Sequence, residues 1–309
     1  MIEQKTIENQ IEEINFLELF SEIWNKKWLV IIVTVLFSLT SIIYSLTLPN
    51  VYKSEVTLAP VSDDSSLRLP GQLGGLAALA GVNLGGLGNG DKTGITLEIL
   101  KSRDFMGKFI EYNDLFVPIM ASKGWDIHSG ELIIDPQKFN IETQEWVRKV
   151  KPPYKQKPSI SETLEEFQKL FSVNQDKSTG MIRISVKHHS PLIAKSWADK
   201  LVISINEEMR ARELNEANKS IDYLSTQISL TNIADVQAML YSLIEEQTKT
   251  VMLANVRDEY ILQTVDPAII PEKKSGPKRF IIVFLTTVLG FIFGFITVLI
   301  VIFFKNLRN

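Results

Sequence analysis

The chain has no cysteine among its 309 residues and only three histidines. Without cysteine there is no disulfide framework, no thiolate zinc site and no thiol nucleophile. An excess of positive charge is missing too. Lys and Arg number 33 against 36 Asp and Glu, and the net charge of -3 excludes a basic protein that coats nucleic acid. Charge of either sign is absent from Trp28 to Tyr52 and again from Phe280 to Phe304. About 20 apolar residues in helix cross a bilayer core of about 30 Å, so each run is long enough to span one. Glycine and proline are absent from Leu192 to Asp266, which leaves that stretch free to be helical.

The first apolar run is longer than the core of a signal peptide and follows an acidic tail, so it reads as a retained anchor. Two spans place both short termini on one side and the intervening loop on the other. Lys26 and Lys27 before the first span favour the termini inside. Lys273, Lys274, Lys278 and Arg279 before the second span pull the other way, but first spans usually dominate. The expected partition is a cytoplasmic tail at 1–27, spans at 28–48 and 280–304, and a short tail at 305–309. Within 1–27, Ile7, Ile11, Ile14, Leu17, Phe20 and Trp24 recur every three or four residues, as an amphipathic helix requires.

In the loop, 49–190 reads as an α/β base. Val51–Leu58 alternates like a strand that Pro60 ends, and Thr96–Leu115 reads as one helix. Ser161–Leu170 reads as a short helix. Phe171–Asn174 and Ile182–Val186 read as strands joined by a turn at 176–180. Residues 71–94 hold nine of the sixteen glycines among leucines and alanines. That segment is either a poorly ordered loop or a surface packed on the membrane or on a second subunit. The basic, proline-rich 148–159 reads as an exposed linker, with a polyanion site as the lesser alternative. Ser190-Pro191 is a helix start. A helical protrusion follows over 191–265, broken near 231–235, where Asn232 can cap the second helix. A helix of ~39 residues rises ~60 Å, so one helix leaves the base and another returns, ending near Leu262. The base then holds a mixed sheet near the membrane. The surplus apolar face of the long helix, with Leu201, Ile205, Ile221 and Leu224, is expected to meet other copies of the chain.

Catalytic patterns are missing. In Gly90-Asp91-Lys92-Thr93 a carboxylate interrupts what would otherwise resemble the end of a phosphate loop. His188-His189 reads as a surface pair, with no metal-ligand spacing around it. There is no GxSxG. The acidic pairs fall on helix faces. Neither an enzyme nor a cofactor or metal site is expected. After 191–265 comes a proline-rich linker at 266–279. There Pro267, Pro271 and Pro277 stop the returning helix and stiffen the approach to the bilayer, and Lys278 with Arg279 can anchor at headgroups or meet lipid-linked phosphates; the stretch reads as a rigid membrane-proximal turn, with direct contact to a polymerase as the alternative. Gly290 and Gly294 form a GxxxG that allows close helix packing in the second span.

The entry segment FLELFSEIWNKKWLVIIV (16–33) with LPNVYKSEVTLAP (48–60) resembles the start of Wzz-type chain-length determinants. The exit segment DPAIIPEKKSGPKR (266–279) is similar to that family's proline-rich approach to the second span. TLEILKSRDF (96–105), KSIDYL (219–224) and VRDEY (256–260) fit as well. The resemblance implies a polysaccharide co-polymerase of the bacterial inner membrane. Its fold would be an α+β periplasmic domain with long protruding helices, held by two transmembrane helices. It implies a homo-oligomeric ring, such as an octamer, that regulates O-antigen, lipopolysaccharide or capsule chain length. Its partners would be a Wzy-type polymerase, the growing lipid-linked polysaccharide and the membrane, with no nucleic acid. An inner-membrane adaptor for polysaccharide export is the alternative. Here Gly276 stands where the family's exit motif often has serine.

Overall fold

A computed structural model describes residue 24, residues 26–61 and residues 89–308, with the side chains of 89–91 and 305–308 left aside. The amphipathic N-terminal stretch and most of the glycine-rich segment lie outside the described residues. The chain divides into two units, Asn50–Ser275 and the paired terminal segments Met1–Pro49 with Gly276–Asn309.

The larger unit is built on a four-stranded sheet. Its strands are β1 (Tyr52–Pro60), β6 (Phe171–Gln175), β7 (Ile182–His188) and β8 (Leu262–Asp266), in the order β6-β7-β1-β8. Two small hairpins stand apart: β2 (Ser122–Trp125) with β3 (Leu132–Ile134), and β4 (Phe139–Asn140) with β5 (Glu145–Trp146). The α+β class with long helices is as expected, but every neighbouring pair in the main sheet is antiparallel where a mixed sheet was expected. The helical excursion between β7 and β8 does return the chain in the same direction. β1 is inserted between those two strands, so the parallel pair never touches.

Alternation sets the faces of the sheet. Val56, Leu58, Ile182, Ile184, Val186 and Leu262 point into the core, joined there by Phe105, Phe109, Phe167 and Trp197. Full burial of one such side chain stabilises by about 1.5–3 kcal/mol. Phe167 is the hub, with Phe109, Phe171 and Trp197 rings 5.8–6.0 Å away. The opposite face carries Lys53, Glu55, Arg183 and Lys187, none of them fully buried.

The helices start where their caps are. α5 (Ile160–Leu170) opens on a capping box, with Ser159 Oγ accepting from Glu162 N and Glu162 returning to Ser159 N. α6 (Pro191–Leu230) has Ser190 as its cap and Pro191 in its first turn, as the sequence implies. The stretch expected as one helix over 96–115 is instead α2 (Asn89–Lys101), α3 (Arg103–Tyr112) and the short α4 (Phe116–Met120). Ser102 is extended and caps α3 through Phe105 N, which breaks the run. Asp114, at φ 50°, marks the end of the second.

The helical break near 231 is present. α7 (Ala234–Val256) begins after it with Ile233, not Asn232, at the cap position and with no side-chain cap. The chain supplies the end contact differently: Gln237 Nε2 donates to Thr231 O at 2.8 Å. The returning helix stops at Val256 rather than near Leu262, because 262–266 finds ladder partners on β1.

The linker at 148–159 is pinned rather than free. Arg148 Nη1 and Nη2 donate to the two oxygens of Glu162 at 2.9 Å each, Nε donates to Gln156 O, and Nη2 also donates to Lys155 O. The guanidinium, with Ser159 N–H behind it, holds the Glu162 carboxyl below its ordinary range.

In the other unit, α1 (Lys27–Thr47) and α8 (Arg279–Arg308) pack on one another. Both are long and apolar enough to cross a membrane, over Lys27–Thr47 and Arg279–Phe304.

Candidate functional site

Three places carry the residues that the sequence singles out. The first is the seam between α1 and α8. Gly290, Gly294, Val298 and Ile302 recur every four residues and are all buried. The glycines receive the first apolar helix of the same chain. A Cβ on Gly290 would lie 2.6 Å from Phe37 Cβ and 3.4 Å from Thr34 Cα. One on Gly294 would lie 3.1 Å from both Val30 Cα and Val30 O. Phe37 and Phe293 stack beside them, ring centroids 5.9 Å apart. The GxxxG spacing thus marks a close approach, and its occupant is internal.

The second place is the proline-rich approach, 266–275. Pro267 has no N–H to continue the ladder, and β8 ends at Asp266. The chain then follows the same side of β1 through side-chain bonds. Ser54 Oγ donates to Ile269 O at 2.8 Å, and Ser275 donates from N and from Oγ to Val51 O at 2.8 and 3.1 Å. Ala268 is buried in the core, Pro267 is exposed and Pro271 half-buried. In the other unit, Pro277 is half-buried, Lys278 is exposed, and Arg279 Nη2 donates to Leu48 O at 3.1 Å.

The third place is the long helix. Leu201 and Ile205 are 0% exposed and belong to the core of their own subunit, so they form no oligomer face. Helical period shows that this side is apolar; β1 and β7 of the sheet cover it. Ile221 and Leu224, further along, are half-buried. The large apolar side chains left in the open around the helical break are Tyr223, Leu230, Ile233, Met239 and Tyr241, which periodicity alone did not single out.

One face of α6 bolts the returning chain to the base. Asn206 Nδ2 donates to Leu262 O, and Asn206 Oδ1 accepts from Ile261 N and Leu262 N, at 2.9–3.1 Å. One turn on, Arg210 Nη2 donates to Arg257 O and Asp258 O at 2.6 Å. Next, Glu213 accepts from Tyr260 Oη at 2.8 Å and pairs with Lys92 at 3.0 Å. The VRDEY segment is therefore a docking loop for α6.

The histidine pair is not a surface pair. His188 is 2% exposed, with Trp197 against its ring at 4.9 Å. Its Nδ1 accepts from Ser190 N at 3.0 Å, so Nε2–H donates to Pro118 O at 3.1 Å. The signal lay in strand parity, since 182, 184, 186 and 188 share the inward face. Burial pushes its pKa down to about 4, with His189 adding to the effect. The unfolded chain then binds a proton near pH 6.5 that the folded chain refuses until about pH 4. Stability from this group is whole above 6.5 and falls as pH drops through that window, by roughly 3 kcal/mol in all. Denaturant midpoints at pH 7.5 and 4.5 should differ by less in His188→Asn than in the parent. Equal differences would remove His188 from the acid response.

Among the described residues no group of three or more His, Asp or Glu is placed to hold a metal. Lys92 and Thr93, from the sequence that resembles the end of a phosphate loop, lie inside α2.

Residues 12–112, about a third of the chain, match the profile of the family described as chain length determinant protein, Wzz. The match runs from before α1 through β1 to the end of α3, and it bears out the Wzz-type assignment made from the entry motif. The chain is also similar to a solved structure described as a full-length bacterial polysaccharide co-polymerase. Identity is 12%, the TM-score is 0.39, and the similarity covers 94% of this chain and 98% of that one. Among curated proteins none matches.

Proposed function

We propose that this chain regulates the length of a bacterial surface polysaccharide, O-antigen or a related lipopolysaccharide or capsule. It acts without bond-making, as a homo-oligomeric ring beside a Wzy-type polymerase. The family match over 12–112 carries the reading. Two apolar helices flanking one domain, and a 40-residue helix in that domain, support it. Both termini lie in the cytoplasm and the domain in the periplasm. The base holds 49–190 together with the start of α6 and with β8, and the protrusion is the remainder of α6 with most of α7. Tyr223, Leu230, Ile233, Met239 and Tyr241 face adjacent copies in the ring, since open apolar side chains at this density favour burial on association. Pro267, Pro271, Pro277 and Lys278 form a stiff approach to the bilayer that positions the polymerase.

Deleting the gene should turn a clustered polysaccharide ladder on a gel into a broad one, with the total amount retained. A ladder that keeps its modal cluster would refute length control. Loss of surface polysaccharide at unchanged length would make the chain an export adaptor instead.

A further inference from the structure

The open face of the sheet is basic at one end. Lys53 and Lys187 are register partners on that face, so two like charges stand directly opposite, an arrangement that costs stability unless something answers it. Glu55 answers in part: it pairs with Lys53 and accepts from Ser185 Oγ at 2.9 Å. Lys187 is exposed, and the Lys53 side chain is still 34% accessible. Two more lysines, Lys273 and Lys274, are exposed and precede Ser275, which is bonded to Val51 at this same end of β1. His189 adds an Nδ1–H donated to Asn50 O at 3.1 Å. Against four lysines stand Glu55 and the exposed Glu272.

Covalent geometry keeps this cluster close to a bilayer. Thr47 ends the first apolar helix and Lys53 is six residues on; Arg279 begins the second and Lys274 is five residues before it. Six extended residues reach about 20 Å at most, so the chain holds the cluster near the bilayer and lets it come down to the headgroup layer, about 5–8 Å thick on each side. Each lysine near an anionic membrane surface contributes about 1 kcal/mol, and the attraction fades within a Debye length of about 8–10 Å.

We propose that Lys53, Lys187, Lys273 and Lys274 form a binding surface for the phosphates of anionic phospholipid headgroups. This surface grips the base to the bilayer independently of the two apolar helices. The occupant is a lipid phosphate because the cluster is cationic, flat and tied by short chain to the membrane on both sides. The inference rests on reading α1 and α8 as spans.

The test uses the full chain in neutral detergent, titrated with short-chain phosphatidylglycerol, with phosphatidylcholine and with inorganic phosphate, bound lipid being counted by native mass spectrometry. Phosphatidylglycerol should bind at least fivefold more tightly than phosphatidylcholine. That preference should vanish between 0.1 and 0.5 M salt. It should also fall at least threefold in the variant Lys53→Gln/Lys187→Gln/Lys273→Gln/Lys274→Gln, while Lys149→Gln/Lys151→Gln leaves it unchanged. Equal binding of the two lipids by the parent, or an unchanged preference in the fourfold variant, would overturn the proposal. So would displacement of the lipid by millimolar inorganic phosphate. If the fourfold variant does not fold, a salt-insensitive preference in the parent overturns it as well. Release of the chain from membranes by alkaline carbonate would remove the spans and the proposal with them. Equal lipid binding by a carbonate-resistant chain would remove the proposal alone.

Discussion

Asn206→Ala should lower the thermal unfolding midpoint of the large unit by about 10 °C. This follows from a loss of roughly 4 kcal/mol, at about 2–4 °C per kcal/mol for a domain of this size. The side chain is 3% exposed and serves Ile261 N, Leu262 N and Leu262 O. Truncation leaves two buried donors and one acceptor without that partner, each costing about 1–3 kcal/mol when unmet. Water replaces the amide poorly at a position walled by Val202, Ile205 and Leu262, all buried. Asn255→Ala is the control: that amide is exposed and bonds only within its own helix, so its midpoint should hold within about 2 °C, as for surface changes generally. Near-ultraviolet circular dichroism of the detergent-solubilised chain reads both, because Trp197 is buried in the core. Matching midpoints for the two variants would mean that α6 does not hold β8 through Asn206.

Gly294→Leu should separate the two apolar helices. Its Cβ would press on Val30 Cα and Val30 O, both backbone atoms that cannot rotate away. At Gly290 the clash is with Phe37 Cβ, at the root of a side chain, which is equally unable to give. The absence of native cysteine makes the measurement clean. Phe37→Cys with Phe293→Cys replaces a stacked pair by an oxidisable one. After the loop is cut by protease, the fragments should remain joined in the parent. With Gly294→Leu added, the joined fraction should fall roughly tenfold, equivalent to ~1.4 kcal/mol of lost association. Unchanged joining would place the glycine face against something other than α1.

Much of the fold was legible because it is local. Charge-free runs announce apolar helices; Ser190-Pro191 announces a helix start; the turn at 176–180 announces the β6–β7 hairpin, with Gly180 at φ 72°. What could not be read depends on which surface meets which. Leu201 and Ile205 have the period of an apolar stripe, and nothing local distinguishes a stripe covered by its own sheet from one covered by another copy. The same holds for Gly290 and Gly294, whose spacing specifies a close helix without naming it. β8 hid in a stretch with no glycine or proline, since its strand character comes from β1. Sheet direction was likewise invisible, because the insertion of β1 between β7 and β8 joins residues more than 200 apart in the chain. His188 was a miss with a readable local sign, the parity of its strand.

β1 is the middle rail of the sheet, bonded along one side to β7 over seven residue pairs and along the other to β8 and then to 269–275. Tension entering the domain through residue 50 therefore pulls lengthwise on a strand whose bonds lie across the direction of pull. Such bonds share the load and yield together, unlike a zipper opened one tooth at a time. A pull on residue 50 opposed by the body of the domain therefore loads the bonds of β1 in shear.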